Sequence, residues 1–261
     1  MPRKKREQMN ILLSNDDGVH SPGLARLADA IQPLCERMAV VAPDRNLSGA
    51  SSALTLTRPL YPQQQLSGFI SVDGTPVDCV HLAITGMLDF VPDRVVSGIN
   101  IGANLGDDVW YSGTVAAAVE GRYLGCAAIA VSLAGTTHFA TAGKVVAELI
   151  TADNHLPNPP NTILNVNVPD LPYNEIKGYR ITRLGFRHAA QPCIDTTTPR
   201  GARCYWIAEA GEPQDNQPDT DFAALDQGYV SITPLHIDLT NHQQLMGMRK
   251  WMDGVNQKQK P

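Results

Sequence analysis

Short apolar runs alternate with stretches of helically spaced apolar residues through the first two thirds of the chain. The runs are typical of buried strands and fall at residues 11–13, 38–42, 69–72, 94–100, 127–133 and 163–168. Helices with an apolar face are predicted to follow Ser21, Thr75 and Ser112, and another covers residues 142–151. Strand, helix and strand within about 30 residues form a βαβ unit, which implies a parallel sheet and a right-handed crossover. The pattern therefore predicts an α/β fold with a mostly parallel sheet.

The first apolar run stops abruptly at the polar segment Asn15-Asp16-Asp17-Gly18. Successive side chains on a strand point to opposite faces, so the two aspartates can converge only if the chain turns there, which Gly18 permits. Two converging carboxylates repel each other unless a cation lies between them or one is protonated. A divalent cation at the end of this strand is one interpretation, and an Asx turn that caps a loop is the other.

Two further polar loops are predicted at the same edge of the sheet, because the carboxyl ends of parallel strands share that edge. The first covers residues 43–52 and includes Ser48, and the second covers residues 101–108 and includes Asn104. Hydroxyl and amide groups of this kind suit either a ligand loop or an ordinary loop, and the position favours a ligand loop. Gly98, Gly102 and Gly106 do not form the dinucleotide-binding G-x-G-x-x-G pattern, so a Rossmann oxidoreductase is not indicated.

Small hydroxyl residues and a glycine open the third predicted helix, at Ser112-Gly113-Thr114. The free N–H groups and the positive dipole end of a helix make its N-terminus suitable for an anion such as phosphate. Ordinary N-capping explains the same residues when the segment is taken alone. On the preceding helix, His81 is expected to be a packed core histidine rather than a ligand, and Cys79 is expected to be structural.

Composition limits the class of protein. With 261 residues, 43% hydrophobic and 18% charged, the chain suits one large globular domain or one domain with an extension. A formal net charge of −5 argues against a nucleic-acid partner, and no apolar run is long enough for a membrane span. The five cysteines show no metal-binding spacing, which favours reduced thiols in the cytoplasm.

The basic residues before Met9 are expected to be a solvated tail, an expression remnant or the result of an upstream start, with Met9 as the natural beginning.

The pattern changes beyond about residue 182. Residues 183–219 are polar and rich in Pro and Gly, and they lack the βα alternation. Only short strands near residues 204–206 and 229–232 and a last helix near 242–252 are predicted there. We therefore divide the chain into a core at 9–181 and a C-terminal extension at 182–261. Its aromatic residues favour an oligomer contact, with a peripheral subdomain as the alternative.

With these segments aligned, the chain closely resembles the SurE survival-protein family of 5′/3′-nucleotidases. The resemblance covers about Met9 to Thr240. The matching residues are Ser14-Asn-Asp-Asp-Gly18, Ala42-Pro-Asp-Arg-Asn46 with Ser48-Gly-Ala-Ser51, Gly74-Thr-Pro-Val-Asp-Cys79, Ser97-Gly-Ile-Asn-Ile-Gly-Ala-Asn-Leu-Gly-Asp-Asp108, Tyr111-Ser-Gly-Thr-Val-Ala-Ala-Ala118, Thr220-Asp-Phe222 and Gly228-Tyr-Val-Ser-Ile-Thr-Pro234. Each segment alone is a weak signal, and their combination is highly specific.

The resemblance implies one divalent cation per subunit, Mg²⁺ or Mn²⁺, held by Asp16, Asp17, Ser48 and Asn100. It also implies phosphate contacts from Asn104 and from Ser112, Gly113 and Thr114. The implied fold is a three-layer, Rossmann-like core whose C-terminal segments exchange between subunits of a homodimer or homotetramer. Oxygen ligands alone suit Mg²⁺ or Mn²⁺ and disfavour zinc.

These expectations together predict a metal-dependent phosphomonoesterase for nucleoside 5′- and 3′-monophosphates, with short polyphosphate as a further candidate substrate. In the hypothetical mechanism, Asp16 or Asp17 orients or deprotonates a water whose pKa the cation lowers. Asn104, Ser112 and the backbone amides of Gly113 and Thr114 hold the phosphoryl oxygens. An aspartyl-phosphate intermediate is the competing mechanism. The alternative functions are a regulatory protein that binds nucleotides without hydrolysing them and a purely structural assembly protein.

Overall fold

A computed structural model gives the fold and describes residues 8–152, 162–187, 191–208 and 210–258. The predicted core begins as an alternation of strands and helices. Its elements are β1 (Met9–Ser14), α1 (Pro22–Ile31), β2 (Cys35–Pro43), β3 (Pro62–Gln64), β4 (Ile70–Val72), α2 (Pro76–Leu82), β5 (Arg94–Ile101), α3 (Gly113–Tyr123), β6 (Ala127–Ala134), α4 (Phe139–Ala152), β7 (Thr162–Pro169) and β8 (Tyr179–Ile181). A 3-10 turn at Gly106–Trp110 leads into α3.

The remainder of the chain contains more regular structure than its sequence predicts. Its elements are β9 (Phe186–Arg187), β10 (Ile194–Thr197), β11 (Arg203–Trp206), β12 (Pro213–Asp215), α5 (Asp221–Asp226), β13 (Val230–His236) and α6 (Leu245–Lys258). Strands β10 and β11 pair as an antiparallel hairpin, and β12 pairs with β9. These short pairings involve residues far apart in the sequence or lie in polar segments, so apolar periodicity does not reveal them.

One nine-stranded sheet organises the molecule, with the strand order β3-β4-β2-β1-β5-β6-β7-β13-β8. The six strands from β4 to β7 in this order run parallel, whereas β3 and β13 are antiparallel to their neighbours β4 and β7. Strand β1 lies between β2 and β5, so the strand order reverses at the β1–β5 pair. Such a reversal leaves a crevice outside the carboxyl ends of the strands, where α/β proteins bind ligands.

Helices cover both faces of this sheet. Ile11 and Leu13 of β1 point to the face that packs against α1 and α4, and Leu12 points to the face that packs against α2 and α3. This alternation follows from the two-residue period of a strand, and both sets of side chains are fully buried. The α/β, three-layer fold with a mostly parallel sheet is thereby confirmed.

The C-terminal region contributes a strand to the central sheet. Strand β13 pairs along β7 from Ser231 opposite Asn167 to His236 opposite Thr162, and β8 pairs along its other edge. The sheet therefore continues across the predicted boundary at 181/182. The division into a core at 9–181 and an oligomerisation extension at 182–261 remains a prediction.

Two local predictions have different outcomes. His81 is not a packed core residue: its side chain is 45% exposed and its Nδ1 lies 2.7 Å from Glu120 Oε1, because this position of α2 faces the edge of α3. Cys79 is fully buried in the core, as expected.

The basic residues 1–7 and the predicted loop at 157–160 lie outside the described residues. In the described part of the chain, no helix is long and apolar enough to cross a membrane.

Candidate active site at the strand edge

The turn after β1 is built by backbone hydrogen bonds and one glycine. Gly18 has φ +98°, and a Cβ there would lie 2.9 Å from the Arg45 carbonyl carbon, so the position favours glycine on both grounds. Asn15 Nδ2 donates to the Gly18 carbonyl oxygen at 3.0 Å, and the Leu47 N–H donates to the Asp16 carbonyl oxygen at 2.8 Å. These bonds hold the loop that carries Ser48 against the aspartate pair.

Asp16 joins the end of β1 to the start of α3. Its carboxylate is buried, and its Oδ1 accepts the Thr114 hydroxyl hydrogen bond at 2.5 Å. The missing side chain of Gly113 makes room for it, because a Cβ there would lie 2.7 Å from Asp16 Cβ and 2.9 Å from Oδ2. Burial raises the pKa of Asp16, an effect opposed by the Thr114 hydrogen bond. A carboxylate therefore lies directly at a helix N-terminus.

Asp17 faces the ends of two other segments. Its Oδ2 accepts the Ile101 N–H at 2.9 Å, and its Oδ1 accepts a longer hydrogen bond of 3.4 Å from Asn46 Nδ2. Burial raises the pKa of Asp17 to about 6, and the charge of Asp16 adds to the increase. The two aspartates thus share one turn but bond to different segments, Asp16 to the start of α3 and Asp17 to the end of β5.

Asn100 is placed at the same edge by an irregularity in β5. The pairing of β5 with β6 shifts between Ser97 and Asn100, and Gly98 there has φ +137° and would place a Cβ 2.2 Å from the Val131 carbonyl oxygen. The amide nitrogen of Asn100 donates to the Gly102 carbonyl oxygen at 2.8 Å. The amide oxygen is therefore the atom that Asn100 can offer to a cation.

Ser48 lies in the exposed part of the loop and is held by Asn46. Its hydroxyl and its backbone N–H both donate to Asn46 Oδ1, at 2.7 and 2.8 Å. Because Asn46 also reaches Asp17, and Leu47 bonds to the backbone of Asp16, the Ser48 loop is attached to the aspartate pair at two points.

Asn104 is fixed by residues that are not among the predicted site residues. Its N–H donates to Asn167 Oδ1 at 2.8 Å, and its carbonyl oxygen accepts from both Asn165 and Asn167, at 2.9 and 3.0 Å. Its side-chain amide donates to Ser132 Oγ at 2.7 Å. The sequence does contain a signal for these partners. Asn165 and Asn167 lie at alternate positions of β7 among apolar residues, whereas a strand inside a parallel sheet is normally apolar throughout.

The start of α3 carries both capping and free groups. Ser112 Oγ accepts the Val115 N–H at 3.1 Å, which is the ordinary N-cap bond. The same hydroxyl keeps its own hydrogen available for donation. Thr114 donates its hydroxyl hydrogen to Asp16, and hydrogen bonds from the backbone N–H groups of Gly113 and Thr114 to the same carboxyl also lower its pKa. This helix end therefore already binds one anionic group, the Asp16 carboxylate, and Ser112 keeps a hydroxyl hydrogen for another.

The described residues include no group of three or more His, Cys, Asp and Glu side chains that could hold a metal ion. The predicted ligand set contains only two such residues, and a serine hydroxyl and an asparagine amide oxygen complete it. Hard oxygen donors of this kind suit Mg²⁺ or Mn²⁺. The residues present therefore fit a hard divalent cation.

The fold and the site together define an α/β protein with an oxygen-rich site at a topological switch point. The family model described as Survival protein SurE matches residues 11–191. A 5′-nucleotidase SurE from Marinobacter nauticus is 58% identical, over 95% of this chain and 98% of that protein. One from Methylococcus capsulatus is 56% identical, over 94% and 98%. The chain belongs to the SurE family, which confirms the resemblance seen in its motifs.

A solved structure supports the same assignment. The crystal structure of the SurE protein from Aquifex aeolicus is 44% identical to this chain and matches it with a TM-score of 0.82. The match covers 93% of this chain and 99% of that one. The fold is therefore shared over nearly the whole length, including the C-terminal region that the sequence pattern left largely undefined.

Proposed function

We propose that this protein is a divalent-metal-dependent phosphomonoesterase that hydrolyses nucleoside 5′- and 3′-monophosphates, with short polyphosphate as a further substrate class. The observation that carries the proposal is the 2.5 Å contact between the Thr114 hydroxyl and Asp16. It brings a carboxylate suited to a hard cation beside a helix N-terminus suited to phosphate. The printed names of the relatives, 5′-nucleotidase SurE, support the nucleotidase part of the proposal.

Asp16, Asp17, Ser48 and Asn100 would hold one Mg²⁺ or Mn²⁺ per subunit. When bound, such a cation supplies Lewis acidity, which makes water more acidic and offsets negative charge on phosphoryl oxygens. Asp17 is the better candidate to orient the attacking water and receive its proton, because Asp16 is more deeply buried and already bonded to Thr114.

The phosphoryl group is assigned to the second half of the site. Ser112 would donate its hydroxyl hydrogen. The backbone N–H groups of Gly113 and Thr114, which hydrogen-bond to Asp16, would be shared between that carboxylate and the phosphoryl group at the start of α3. Asn104 contributes its side-chain amide from a backbone that β7 holds rigidly. Donors fixed in this way stabilise charge that develops in the transition state without having to reorganise.

The competing mechanism, in which an aspartate attacks phosphorus, is separable by a rapid-quench experiment. Enzyme in excess over ³²P-labelled nucleotide is mixed with Mn²⁺ and stopped in acid at intervals through one turnover. Direct attack by water leaves no label on the protein at any time. Label that appears on the protein and then decays at the rate of phosphate release would establish an aspartyl-phosphate intermediate instead.

A phosphate-release screen tests the function itself. The 5′- and 3′-monophosphates of the common bases and tripolyphosphate are each incubated with Mn²⁺ or Mg²⁺. We expect release from nucleoside monophosphates by the wild type and by Asp29→Asn, an exposed α1 variant, and loss of activity in Asp16→Asn. No release from any nucleotide would refute the proposal and favour the regulatory alternative, which calorimetric nucleotide binding without turnover would then support.

We further propose that the protein is a cytoplasmic homodimer or homotetramer. Helix α6 supports the oligomer, because five of the apolar side chains that it carries are more than one third exposed: Leu245, Met246, Met248, Trp251 and Met252. A helix with this much exposed apolar surface normally packs on a partner. The cytoplasmic location is supported by the five cysteines, all of which have free thiols.

A further inference from the structure

A buried carboxylate outside the proposed ligand set lies behind the Asn104 loop. Asp221, the first residue of α5, is fully buried. Its Oδ2 accepts the Gly106 N–H at 2.7 Å, and its Oδ1 accepts the N–H groups of Gly185 at 2.8 Å and Phe222 at 3.0 Å. Both oxygens are thus occupied by backbone donors, two of which come from other segments of the chain.

The Gly106 contact is close to the site, because Gly106 follows Asn104 by two residues. Gly106 has φ +53°, and a Cβ there would lie 2.8 Å from the Phe222 ring and 3.1 Å from the Gly185 carbonyl oxygen. Asn104 is itself held by Asn167 on the opposite side. The segment from Asn104 to Gly106 is therefore fixed at one end by β7 and at the other by Asp221.

A second set of bonds joins the same two regions. The Arg187 N–H donates to Asp107 Oδ1 at 2.9 Å, and Arg187 Nε donates to Asp108 Oδ2 at 2.5 Å. The guanidinium also lies over the Phe222 ring, 5.0 Å from its centre. Residues 185–187 thus lie between the 3-10 turn that follows Asn104 and the start of α5, and they are bonded to both.

We infer that Asp221 is a positioning residue, which holds the Asn104 loop in the geometry needed to bind the phosphoryl group. The inference rests on the proposed function, since it concerns the phosphate contact of Asn104. Only a carboxylate offers acceptor oxygens to Gly106 and Gly185 at once. An asparagine would turn an NH₂ group toward one of these N–H groups and leave that buried donor unpaired, so the loop would shift away from it.

The test compares Asp221→Asn with Asp226→Asn, which makes the same change at an exposed position of the same helix. For each protein we would measure kcat and KM for a nucleoside monophosphate, the Ki of inorganic phosphate, the Mn²⁺ concentration for half-maximal activity and the melting temperature. We expect kcat/KM of Asp221→Asn to fall by about 10–100-fold, the scale of a small misplacement of a binding group. The KM and the phosphate Ki should rise, while the Mn²⁺ requirement stays unchanged.

A purely structural role predicts a different result, because a smaller folded fraction lowers kcat and leaves KM and Ki unchanged. Unchanged KM and Ki in a folded Asp221→Asn would overturn the inference. If Asp221→Asn does not fold, Arg187→Gln is the deciding variant, because it removes the side-chain bond between Arg187 and Asp108. Arg187→Gln should also raise the phosphate Ki, by a smaller factor than Asp221→Asn. A phosphate Ki equal to that of the wild type would overturn the inference. If the wild type releases no phosphate, the proposed function fails and the inference falls with it.

Discussion

The aspartate pair at the end of β1 lies where ionisation is unfavourable in the absence of a cation. Burial raises the pKa of Asp16 and raises that of Asp17 to about 6, and the charge of Asp16 contributes to the shift of Asp17. At neutral pH the metal-free fold therefore carries a free-energy cost for keeping Asp17 ionised. A bound cation would remove this cost, so stability and metal binding are expected to be linked through the same residue.

Asp17→Asn should abolish activity and leave the metal-free protein at least as stable as the wild type. The amide has the same shape and carries no charge, and the gain should be on the order of 1 kcal/mol, as for other substitutions that relieve strain at functional sites. With excess Mn²⁺ the order should reverse, because only the wild type gains RT ln(1 + [L]/Kd). Thermal melts in EDTA and in Mn²⁺ measure both differences.

Asp29→Asn serves as the control for these melts, since Asp29 is exposed on α1 and should respond equally in both buffers. A melting temperature for Asp17→Asn several degrees below the wild type in EDTA would show that ionised Asp17 does not destabilise the metal-free fold. Asp17 would then be a structural turn residue, retained for its bonds to Ile101 and Asn46 rather than for a cation.

The raised pKa of Asp17 also predicts how the stability of the metal-free protein changes with pH. The pKa of Asp17 is higher in the folded protein, about 6, than its ordinary value of 3.8, so the folded state holds its proton over that interval. The stabilisation by this proton is full below pH 3.8 and is lost as the pH rises through 6. In EDTA, the stability of the wild type relative to Asp17→Asn should therefore increase between pH 7 and pH 5. A difference that stays constant over this range would show that Asp17 titrates normally.

At the scale of elements, the close approach of α3 to β1 is what completes the site. Gly113→Ala would place a methyl group 2.7 Å from Asp16 Cβ and 3.1 Å from Pro76 Cγ, so the helix start must shift. We expect activity to fall by about 10–100-fold and the free energy of unfolding by about 1–3 kcal/mol, the usual cost of overpacking. Gly86→Ala, where a Cβ meets nothing within 4 Å, is the matched control. Normal activity in a folded Gly113→Ala would argue against a site at this junction.

The elements that build the predicted edge of the site could be identified from sequence because each is local. Strand β1 ends in a polar turn, and α3 begins with small hydroxyl residues, so pattern and position suffice. The support behind Asn104 could not be identified in this way. Asn167 comes from 63 residues away and Asp221 contacts Gly106 from 115 residues away, and neither pairing leaves a periodic signal. The role of Thr114 as a partner of Asp16 likewise depends on a contact across 98 residues.

At the scale of the whole molecule, the central sheet depends on a late strand. Val230 and Ile232 of β13 are buried in the core, and β13 covers the edge of β7. Removal of residues 182–261 should therefore expose β7 and give an aggregating or monomeric, poorly active core. Removal of residues 241–261 leaves the sheet intact and should give a soluble protein of lower oligomeric state. Size-exclusion chromatography with light scattering distinguishes these outcomes, and a soluble, fully active monomer from the longer deletion would contradict the prediction.

Hydrolysis of phosphomonoesters at the strand-edge site should require a divalent cation. The most direct measurement is phosphate release from a nucleoside monophosphate by protein that has been exhaustively treated with EDTA and then returned to buffer with or without Mn²⁺ or Mg²⁺. We expect no release after chelation and recovery with either metal in the wild type and in Asp29→Asn, with no recovery in Asp17→Asn. Full activity that survives chelation, or recovery by Asp17→Asn equal to that of the wild type, would contradict this expectation.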